Sequence, residues 1–492
     1  MKFVDQRALL PFAGVIAVFI ISRVLYDFAG IRFQGETYLT YWQFIDPVLL
    51  RTDLWRSVLY LHSQPPLMNL FTGIILQLFP KDNTQIFHVL YFIVGLALCL
   101  AIYWLFLAVQ FPRWLAALLA IGWVVSPPSI LYEHWLTYVL PLTAALTLAA
   151  LALYQFVRSR KLGWGIFFFF LLASLALTWG LFHILWLSGL AILLLVILPN
   201  RKQVLLAALI PLLVVTAWYA KNLYLVSEFT ANSWAGMNLS RISTFCLKQK
   251  ERRTLVRDGD LSKFALVFPF RNPAAYLKLL PNTPVTGIPI LDQPDTSLDK
   301  RNQHHLVYAE SSSYYLRDAL RVIRLRPDVY TRCMRQAAYI FFHSASDFDL
   351  IEPNRIKMRE LELWWNRLFY SQWQSDETSA GRMVNLSAEY VGWWIVAAFL
   401  GSVCGGFAFL WKNRRQLHEP MNLLILFMLI NIAFVSAVGI LMDIGENNRF
   451  RFVIDPFILL LFTFVMRLGI GKLVPKKSKV ANPAGENLSV EA

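Results

Sequence analysis

The sequence predicts an all-α polytopic membrane protein with about ten transmembrane helices, juxtamembrane helices and one mainly helical extracytoplasmic domain. Hydrophobic residues make up 57% of the 492 residues and charged residues only 16%, whereas soluble chains carry about 25% charged residues. The 17 Trp, 19 Tyr and 37 Phe suit a chain with many membrane–water interfaces, where aromatic rings accumulate. A chain of several soluble domains is therefore excluded.

Ten apolar stretches are long enough to cross a bilayer, which requires about 20 mostly apolar residues. They lie near residues 8–28, 86–110, 114–131, 136–157, 163–180, 182–199, 204–221, 390–411, 421–442 and 452–470. The first is interpreted as a retained span, because no convincing small-residue cleavage site follows it. A shorter apolar stretch at 66–79 is typical of a helix that lies on the membrane surface or re-enters it.

The net charge of +15 could indicate nucleic-acid binding, but its distribution indicates membrane topology instead. Short basic clusters lie between the apolar stretches, at residues 158–161, 201–202, 412–415 and 472–479. If residue 1 lies in the cytoplasm, all four clusters fall on the cytoplasmic side, as the positive-inside rule requires. We therefore expect a multi-pass protein of the cell membrane, with both termini cytoplasmic and no nucleic-acid partner.

The alternation of apolar and polar stretches divides the chain into four parts. We expect an N-terminal transmembrane catalytic module at 1–221 with a first outer loop at 29–85, an extracytoplasmic domain at 222–389, C-terminal transmembrane helices at 390–470, and a disordered cytoplasmic tail at 471–492. Cys246 and Cys333 both lie in the extracytoplasmic part. They could pair, because disulfides form in oxidising compartments.

Residues suited to chemistry lie in three loops that face the same side in this topology. The first loop carries Glu36, Asp46 and the run His62-Ser63-Gln64-Pro65-Pro66-Leu67, the second carries Glu133, His134 and Tyr138, and the third reads Glu446-Asn447-Asn448-Arg449-Phe450-Arg451. Ionisable groups are costly near a bilayer and therefore indicate function. We expect Asp46, His62, Glu133 and Arg449 to converge on one cavity at membrane level.

These motifs resemble those of the C-type glycosyltransferases, in particular the dolichyl-phosphate-mannose protein mannosyltransferase-like group and the transferases of aminoarabinose and other lipid-linked sugars. The resemblance covers residues 1–240, including the run at 233–239, and returns at 446–451. It implies a C-type glycosyltransferase fold and a hexosyl- or mannosyltransferase-like activity. The donor would be a polyprenyl-phosphate sugar at the bilayer surface, and the acceptor a glycan, lipid or protein on the extracytoplasmic side.

The resemblance also implies roles for individual residues. Asp46 is the first choice for the general base that takes the acceptor's proton, and Glu133 for a second acidic residue. Glu36 stays an alternative base, because Gly35-Glu36 stands where many members carry an Asp-Glu pair. The donor phosphate would be bound by cations and polar groups, here His62, Gln64, Arg449 and Arg451. His134, Tyr138 and Glu446 would position the acceptor.

Other interpretations stay open at this point. Asp46 precedes Pro47 and could simply start a helix, since Asp is a good cap and Pro suits the first turn. No metal is required by the pattern, although Asp46 and Glu133 could share a divalent cation.

Two further functional classes remain. A lipid or solute transporter or flippase would place ionisable residues at mid-membrane, whereas the acidic residues here cluster at one interface. An envelope assembly protein whose outer segment binds a partner would leave the first-loop motif unexplained.

Overall fold

The computed structural model describes residues 6–370 and 392–473, and within these ranges the chain is helical with no β-strand. The first part contains helices α1 Gln6–Phe28, α2 Pro47–Thr52, α3 Leu54–Tyr60, α4 Leu67–Leu78, α5 Asn83–Ala108, α6 Arg113–Val124, α7 Pro127–Glu133, α8 Val139–Ser159, α9 Leu162–Ala176, α10 Ile184–Ile197 and α11 Arg201–Val226. The predicted all-α class is confirmed. Most of the predicted tail (residues 474–492) and residues 371–391 lie outside the described residues.

The remaining helices form an outer segment and a C-terminal group. The outer segment contains α12 Ala235–Ile242, α13 Gln249–Arg257, α14 Pro273–Leu277, α15 Pro289–Asp292, α16 Val307–Leu325, α17 Pro327–Phe341, α18 Glu352–Lys357 and α19 Arg359–Tyr370. The C-terminal group contains α20 Trp393–Lys412, α21 Pro420–Met442, α22 Asn447–Phe452 and α23 Asp455–Leu473.

Six of the described helices are long and apolar enough to cross a membrane, namely α1, α5, α8, α11, α20 and α21. Helices α6 and α7 could form a seventh span, bent by 62° at the break between them. Helices α9 and α10 are apolar but have only 15 and 14 residues, about 22 Å of helix against a hydrocarbon core of about 30 Å. Each of the ten predicted stretches contains a helix, while the number of crossings stays a prediction.

The apolar helices pack into one bundle. Helix α8 packs between α5 and α9, while α11 packs on α9 and α21 packs on α8. Phe156, Phe168, Phe169 and Leu172 are fully buried at these contacts. The predicted short apolar stretch at 66–79 is helix α4, which packs under α2 and α3.

The outer segment is built on the packing of α12 against α16. Gly236 permits this packing, because a Cβ atom there would lie 2.0 Å from the Ser312 carbonyl oxygen. Cys246 and Cys333 form a disulfide that connects the region after α12 to α17. The pairing considered from the sequence is therefore present.

Backbone and side-chain hydrogen bonds bring all three predicted loops to one end of the bundle, which we call the outer end. Gln34 N donates to His134 O over 2.8 Å, and Ser233 N donates to His62 O over 3.0 Å. Asn448 Nδ2 donates to Ser344 O over 2.8 Å. The first loop, the second loop, the third loop and the outer segment therefore meet at this end.

Candidate active site

A cavity of about 300 Å³, here called the main cavity, opens at the outer end of the bundle. The third loop and the end of α21 form one wall, and the α9–α10 connection and the first loop form another. Its aromatic, polar and charged lining residues include Trp42, Gln64, Trp179, Trp234, Arg241, Arg271, Arg301, Gln303, Asp443, Glu446 and Arg449. Apolar residues at the end of α21, such as Val438 and Met442, also line it. The cavity therefore combines charged groups with an apolar flank at the end of an apolar helix.

Arg449 is the central cation of the main cavity. It is 3% exposed, donates through Nη1 to the Tyr41 hydroxyl over 2.9 Å and forms an ion pair with Glu446. Its Nε has no hydrogen-bond partner among the described residues. Burial opposes its charge, but the Glu446 carboxylate and the phenols of Tyr138 and Tyr41 outweigh burial and raise the pKa of Arg449 well above its usual value. Arg449 is therefore a permanent cation.

The two asparagines before Arg449 fix the third loop. Asn447 Nδ2 donates to Asp443 O over 3.0 Å, and Asn448 Nδ2 donates to Asp347 O over 2.8 Å. Both side chains are nearly fully buried. The amides satisfy carbonyl groups that would otherwise be buried without a donor, which holds the short helix α22 in place.

A second ion pair in the main cavity was missed by the sequence analysis. Arg241 of α12 and Asp443, which follows α21, are 3.1 Å apart, and Arg241 also donates to Ile444 O over 2.7 Å. Burial raises the pKa of Asp443, and the positive charge of Arg241 partly offsets this effect. The available signal was that both residues lie within three positions of motifs already noted, at 233–239 and 446–451.

Asp46 lies in a neighbouring cavity of about 300 Å³, here called the side cavity. Its carboxylate caps α2 by accepting from Val48 N over 2.8 Å, as the alternative interpretation of Asp46-Pro47 predicts. It also accepts from the Ser297 hydroxyl over 2.6 Å and from Ser297 N. The side cavity and the main cavity have three lining residues in common, Trp42, Arg301 and Gln303.

Glu36 lies in neither cavity. Its side chain is exposed in an open groove that Gln34, Thr37 and Trp135 also line. Tyr41 borders this groove and accepts the hydrogen bond from Arg449. The groove is therefore next to the wall of the main cavity.

Glu133 and His134 are buried away from both cavities. Glu133 is 1% exposed and forms an ion pair with Arg23 of α1, whose Nε lies 2.9 Å from Oε1. His134 Nδ1 lies 2.9 Å from Ile130 O, and burial lowers the pKa of His134 to about 4. Their observed contacts hold the bundle together, and catalytic or acceptor-positioning roles for them stay predictions.

His62 is fully buried between the first loop and the outer segment. Its Nδ1 lies 2.8 Å from the Ser233 hydroxyl and its Nε2 lies 3.0 Å from His304 O. His304 in turn contacts Phe44 O through Nε2 at 2.9 Å. Burial lowers the pKa of His62 to about 3 and that of His304 to about 4, so both rings are neutral near pH 7.

Arg451 is fully buried in a different place from Arg449. It donates to Asp455 over 3.0 Å, to Phe341 O over 2.6 Å and to the Tyr370 hydroxyl over 2.8 Å.

Tyr138 lies against Arg449, with the guanidinium carbon of Arg449 5.4 Å from the centroid of the Tyr138 ring. Arg451 therefore supports α22, while Tyr138 supports the cavity wall.

Neither the main cavity nor the side cavity is lined by all four of Asp46, His62, Glu133 and Arg449, so their expected convergence on one site stays a prediction. Gln64, Glu446 and Arg449 line the main cavity and Asp46 lines the side cavity, while His62 and Glu133 are used in buried contacts. The described residues contain no group of three or more His, Cys, Asp or Glu side chains placed to hold a metal ion. Asp46 and Glu133, the pair considered for a shared cation, are each bonded elsewhere.

No protein-family model matches the chain, and no curated protein matches it. The chain is similar to the solved archaeal oligosaccharyltransferase AglB from Archaeoglobus fulgidus, in complex with an inhibitory peptide and a dolichol-phosphate, with 11% identity, a TM-score of 0.35, and coverage of 96% of this chain and 51% of that one. It is also similar to ArnT from Cupriavidus metallidurans bound to undecaprenyl phosphate, with 14% identity, a TM-score of 0.31, and coverage of 95% and 79%. The chain thus spans about half the length of the oligosaccharyltransferase.

The helices and the main cavity define an α-helical integral membrane protein with a charged cavity at one end of its bundle. The function proposed below rests on this chain's own residues.

Proposed function

We propose that this protein is a membrane glycosyltransferase that moves a sugar from a polyprenyl-phosphate-linked donor to an acceptor. The observation that carries the proposal is Arg449, a buried cation in a cavity at the end of apolar helices. A phosphate joined to a polyprenyl chain needs a cation next to an apolar flank. The main cavity offers both within one wall.

Arg449 is suited to binding the donor phosphate. A guanidinium has five N–H donors, and within the described residues Arg449 uses one on Tyr41 and one on Glu446. Its Nε is among the donors left over. Charge-assisted bonds to phosphate are about twice as strong as neutral ones. They also stabilise the negative charge that the phosphate keeps when it leaves.

Asp46 is suited to act as the general base. The Ser297 hydroxyl donates to its carboxylate over 2.6 Å, which is the contact that an acceptor hydroxyl would make. In the reaction the acceptor oxygen attacks the anomeric carbon, the bond from that carbon to the phosphate oxygen breaks, and Asp46 takes the acceptor's proton. Polyprenyl phosphate leaves with the electron pair of the broken bond.

An extracytoplasmic active site is part of the proposal. The Cys246–Cys333 disulfide lies in the outer segment, and disulfides persist in oxidising compartments. The basic clusters at 158–161, 201–202 and 412–415 lie where α8 ends, where α11 begins and where α20 ends. These helix ends are opposite the outer end. Both observations favour an outer end that faces away from the cytoplasm.

Binding of undecaprenyl phosphate to purified protein in detergent tests the proposal. We expect Arg449→Lys to weaken binding by about 10- to 100-fold, as expected for one lost bond to a charged group. Arg257→Lys is the matched control, because Arg257 is 75% exposed and pairs only with the neighbouring Asp258 in the described residues. Equal affinity in wild type and Arg449→Lys would remove the assigned phosphate site.

A further inference from the structure

The main cavity and the side cavity share part of their walls, here called the junction, and a transferred sugar has to lie next to both cavities. The phosphate would be bound at Arg449 in the main cavity, and the base Asp46 lies in the side cavity. The anomeric carbon must contact both the phosphate oxygen and the attacking acceptor. The residues common to both cavities, Trp42, Arg301 and Gln303, therefore border both the assigned phosphate site and the assigned base.

Four residues that line the main cavity, Gln43, Trp234, Gln303 and Arg449, carry a buried polar atom with no partner among the described residues, and two of these atoms matter for a sugar. They are Gln303 Oε1, in a residue 3% exposed, and Trp234 Nε1, in a residue 4% exposed. One is a hydrogen-bond acceptor and the other a donor. Leaving such groups unpaired is costly, so a ligand that pairs them gains affinity.

Both side chains are held in position by their surroundings. Gln303 Nε2 donates to Phe270 O over 3.3 Å, which directs its amide. Trp234 stacks on His304 with the ring centroids 6.3 Å apart and an interplanar angle of 7°. His304 is itself fixed by its contact with Phe44 O. The Gln303 amide and the Trp234 indole are therefore held in fixed orientations in the cavity wall.

Trp42 provides an aromatic face at the same place. It is 41% exposed and stacks on Tyr41 at 5.4 Å with an angle of 24°. Aromatic faces carry partial negative charge and pack well against C–H groups. One face of a pyranose ring presents such C–H groups.

The charges at the junction argue against a cationic sugar. Of the three common residues only Arg301 is charged, and its Nη1 donates to Phe270 O over 2.6 Å. Arg271, a second cation, lines the main cavity on the same side. The carboxylates of the main cavity, Asp443 and Glu446, are both paired with arginines. The side cavity adds Asp46, which accepts from Ser297, and the oppositely charged neighbours Asp299 and Lys300.

We propose that the junction binds the transferred sugar as an uncharged pyranose, with Trp42 against its C–H face and Gln303 and Trp234 hydrogen bonding to its hydroxyls. This inference rests on the proposed function and names the class of its sugar.

Comparing the affinities of bare undecaprenyl phosphate and undecaprenyl-phosphate sugars separates the sugar site from the phosphate site. With wild-type protein, undecaprenyl phosphate that carries at least one of the neutral hexoses (glucose, galactose or mannose) should bind about tenfold more tightly than the bare lipid. The lipid that carries 4-amino-4-deoxyarabinose should bind no more tightly than the bare lipid. In Trp234→Phe and Gln303→Leu the affinity advantage of the hexose-bearing lipid over the bare lipid should fall to about threefold or less, since each variant loses one hydrogen bond. Both variants should bind the bare lipid as well as wild type does.

Trp364→Phe is the matched control for indole loss, because Trp364 is 67% exposed on α19 and lines neither cavity. It should leave every affinity unchanged. If bare undecaprenyl phosphate does not bind, or binds independently of Arg449, the proposed function is overturned, and the sugar site with it. If it binds through Arg449 but no neutral hexose adds affinity, or the amino sugar adds more, the sugar site is overturned alone.

Discussion

Arg449 donates a hydrogen bond to the Tyr41 hydroxyl over 2.9 Å, joining two residues that are 408 positions apart in the chain. The contact connects the third outer loop to the first at the wall of the main cavity. Burial raises the pKa of Tyr41 well above its usual value, despite the nearby charge of Arg449. The phenol therefore stays neutral and accepts from Arg449 throughout the ordinary pH range.

Tyr41→Phe should lower the affinity for undecaprenyl phosphate modestly. The change keeps the ring, which contacts Trp42 and Trp135, but removes the acceptor that orients Arg449. A loss of about 1 kcal/mol, or roughly fivefold in affinity, is typical for one such bond. Titration with the lipid measures it, and Tyr224→Phe serves as control because Tyr224 is 93% exposed. Unchanged affinity in Tyr41→Phe would mean that Tyr41 does not position Arg449.

Glu133→Gln should destabilise the protein more than it slows transfer. The variant leaves Arg23 buried without its counter-charge, and breaking a buried pair in this way typically costs about 3–5 kcal/mol. The double variant Arg23→Met, Glu133→Leu should recover most of the stability, because no uncompensated charge remains. Thermal unfolding in detergent measures both. A stable Glu133→Gln protein that has lost transfer would instead support the catalytic role predicted from the sequence.

Acidification should weaken the contact between the first loop and the outer segment. The pKa values of His62 and His304 are about 3 and about 4 in the folded protein, because burial disfavours the charged form, against about 6.5 in the unfolded chain. The unfolded chain therefore binds more protons in this interval. The stabilisation is fully present above about pH 6.5 and is lost as the pH falls towards 4.

Hydrogen exchange at residues 61–64 and 302–305, measured between pH 7 and 4.5 and corrected for intrinsic rates, checks this dependence. Protection should decrease on the acid side in wild type. In His62→Gln the pH dependence should be smaller, since one of the two titrating groups is gone. Equal protection at both pH values in wild type would contradict the account.

The sequence was sufficient for the features that depend on local composition. Apolar length located a helix in each of the ten predicted stretches, and Asp46-Pro47 predicted the cap of α2. The charge alternation placed the three loops at one end, where they do meet.

The sequence was not sufficient for features that depend on which buried groups pair. Glu133 pairs with Arg23, which lies inside an apolar stretch 110 residues earlier, and no spacing rule connects the two. His62 looked like a ligand-binding residue, but its partners Ser233 and His304 come from the outer segment. Desolvation forces such groups to find partners, and only the folded chain shows which partners are near.

The proposed topology predicts which engineered cysteines are accessible in intact cells. Cysteines introduced at position 160 or 413 should not react with an impermeant maleimide until the cells are opened, because both lie in connections assigned to the cytoplasm. A cysteine at exposed Val285 should react at once, because it lies in the outer segment. Reaction at 160 or 413 in intact cells would reverse the assignment of sides.

The most direct test of the central claim is glycosyl transfer by purified protein carrying Asp46→Asn. Asparagine is as good a helix cap as aspartate, so α2 and the Ser297 contact should survive, but it cannot accept the acceptor's proton. Wild type should form a glycosidic product and free undecaprenyl phosphate, and turnover should be about 10²–10⁴-fold lower in Asp46→Asn with donor binding unchanged. The matched variant Glu36→Gln should retain near-normal turnover. Normal transfer in Asp46→Asn with loss in Glu36→Gln would move the base to Glu36, and movement of lipid or solute by wild type without any glycosidic product would contradict the transferase itself.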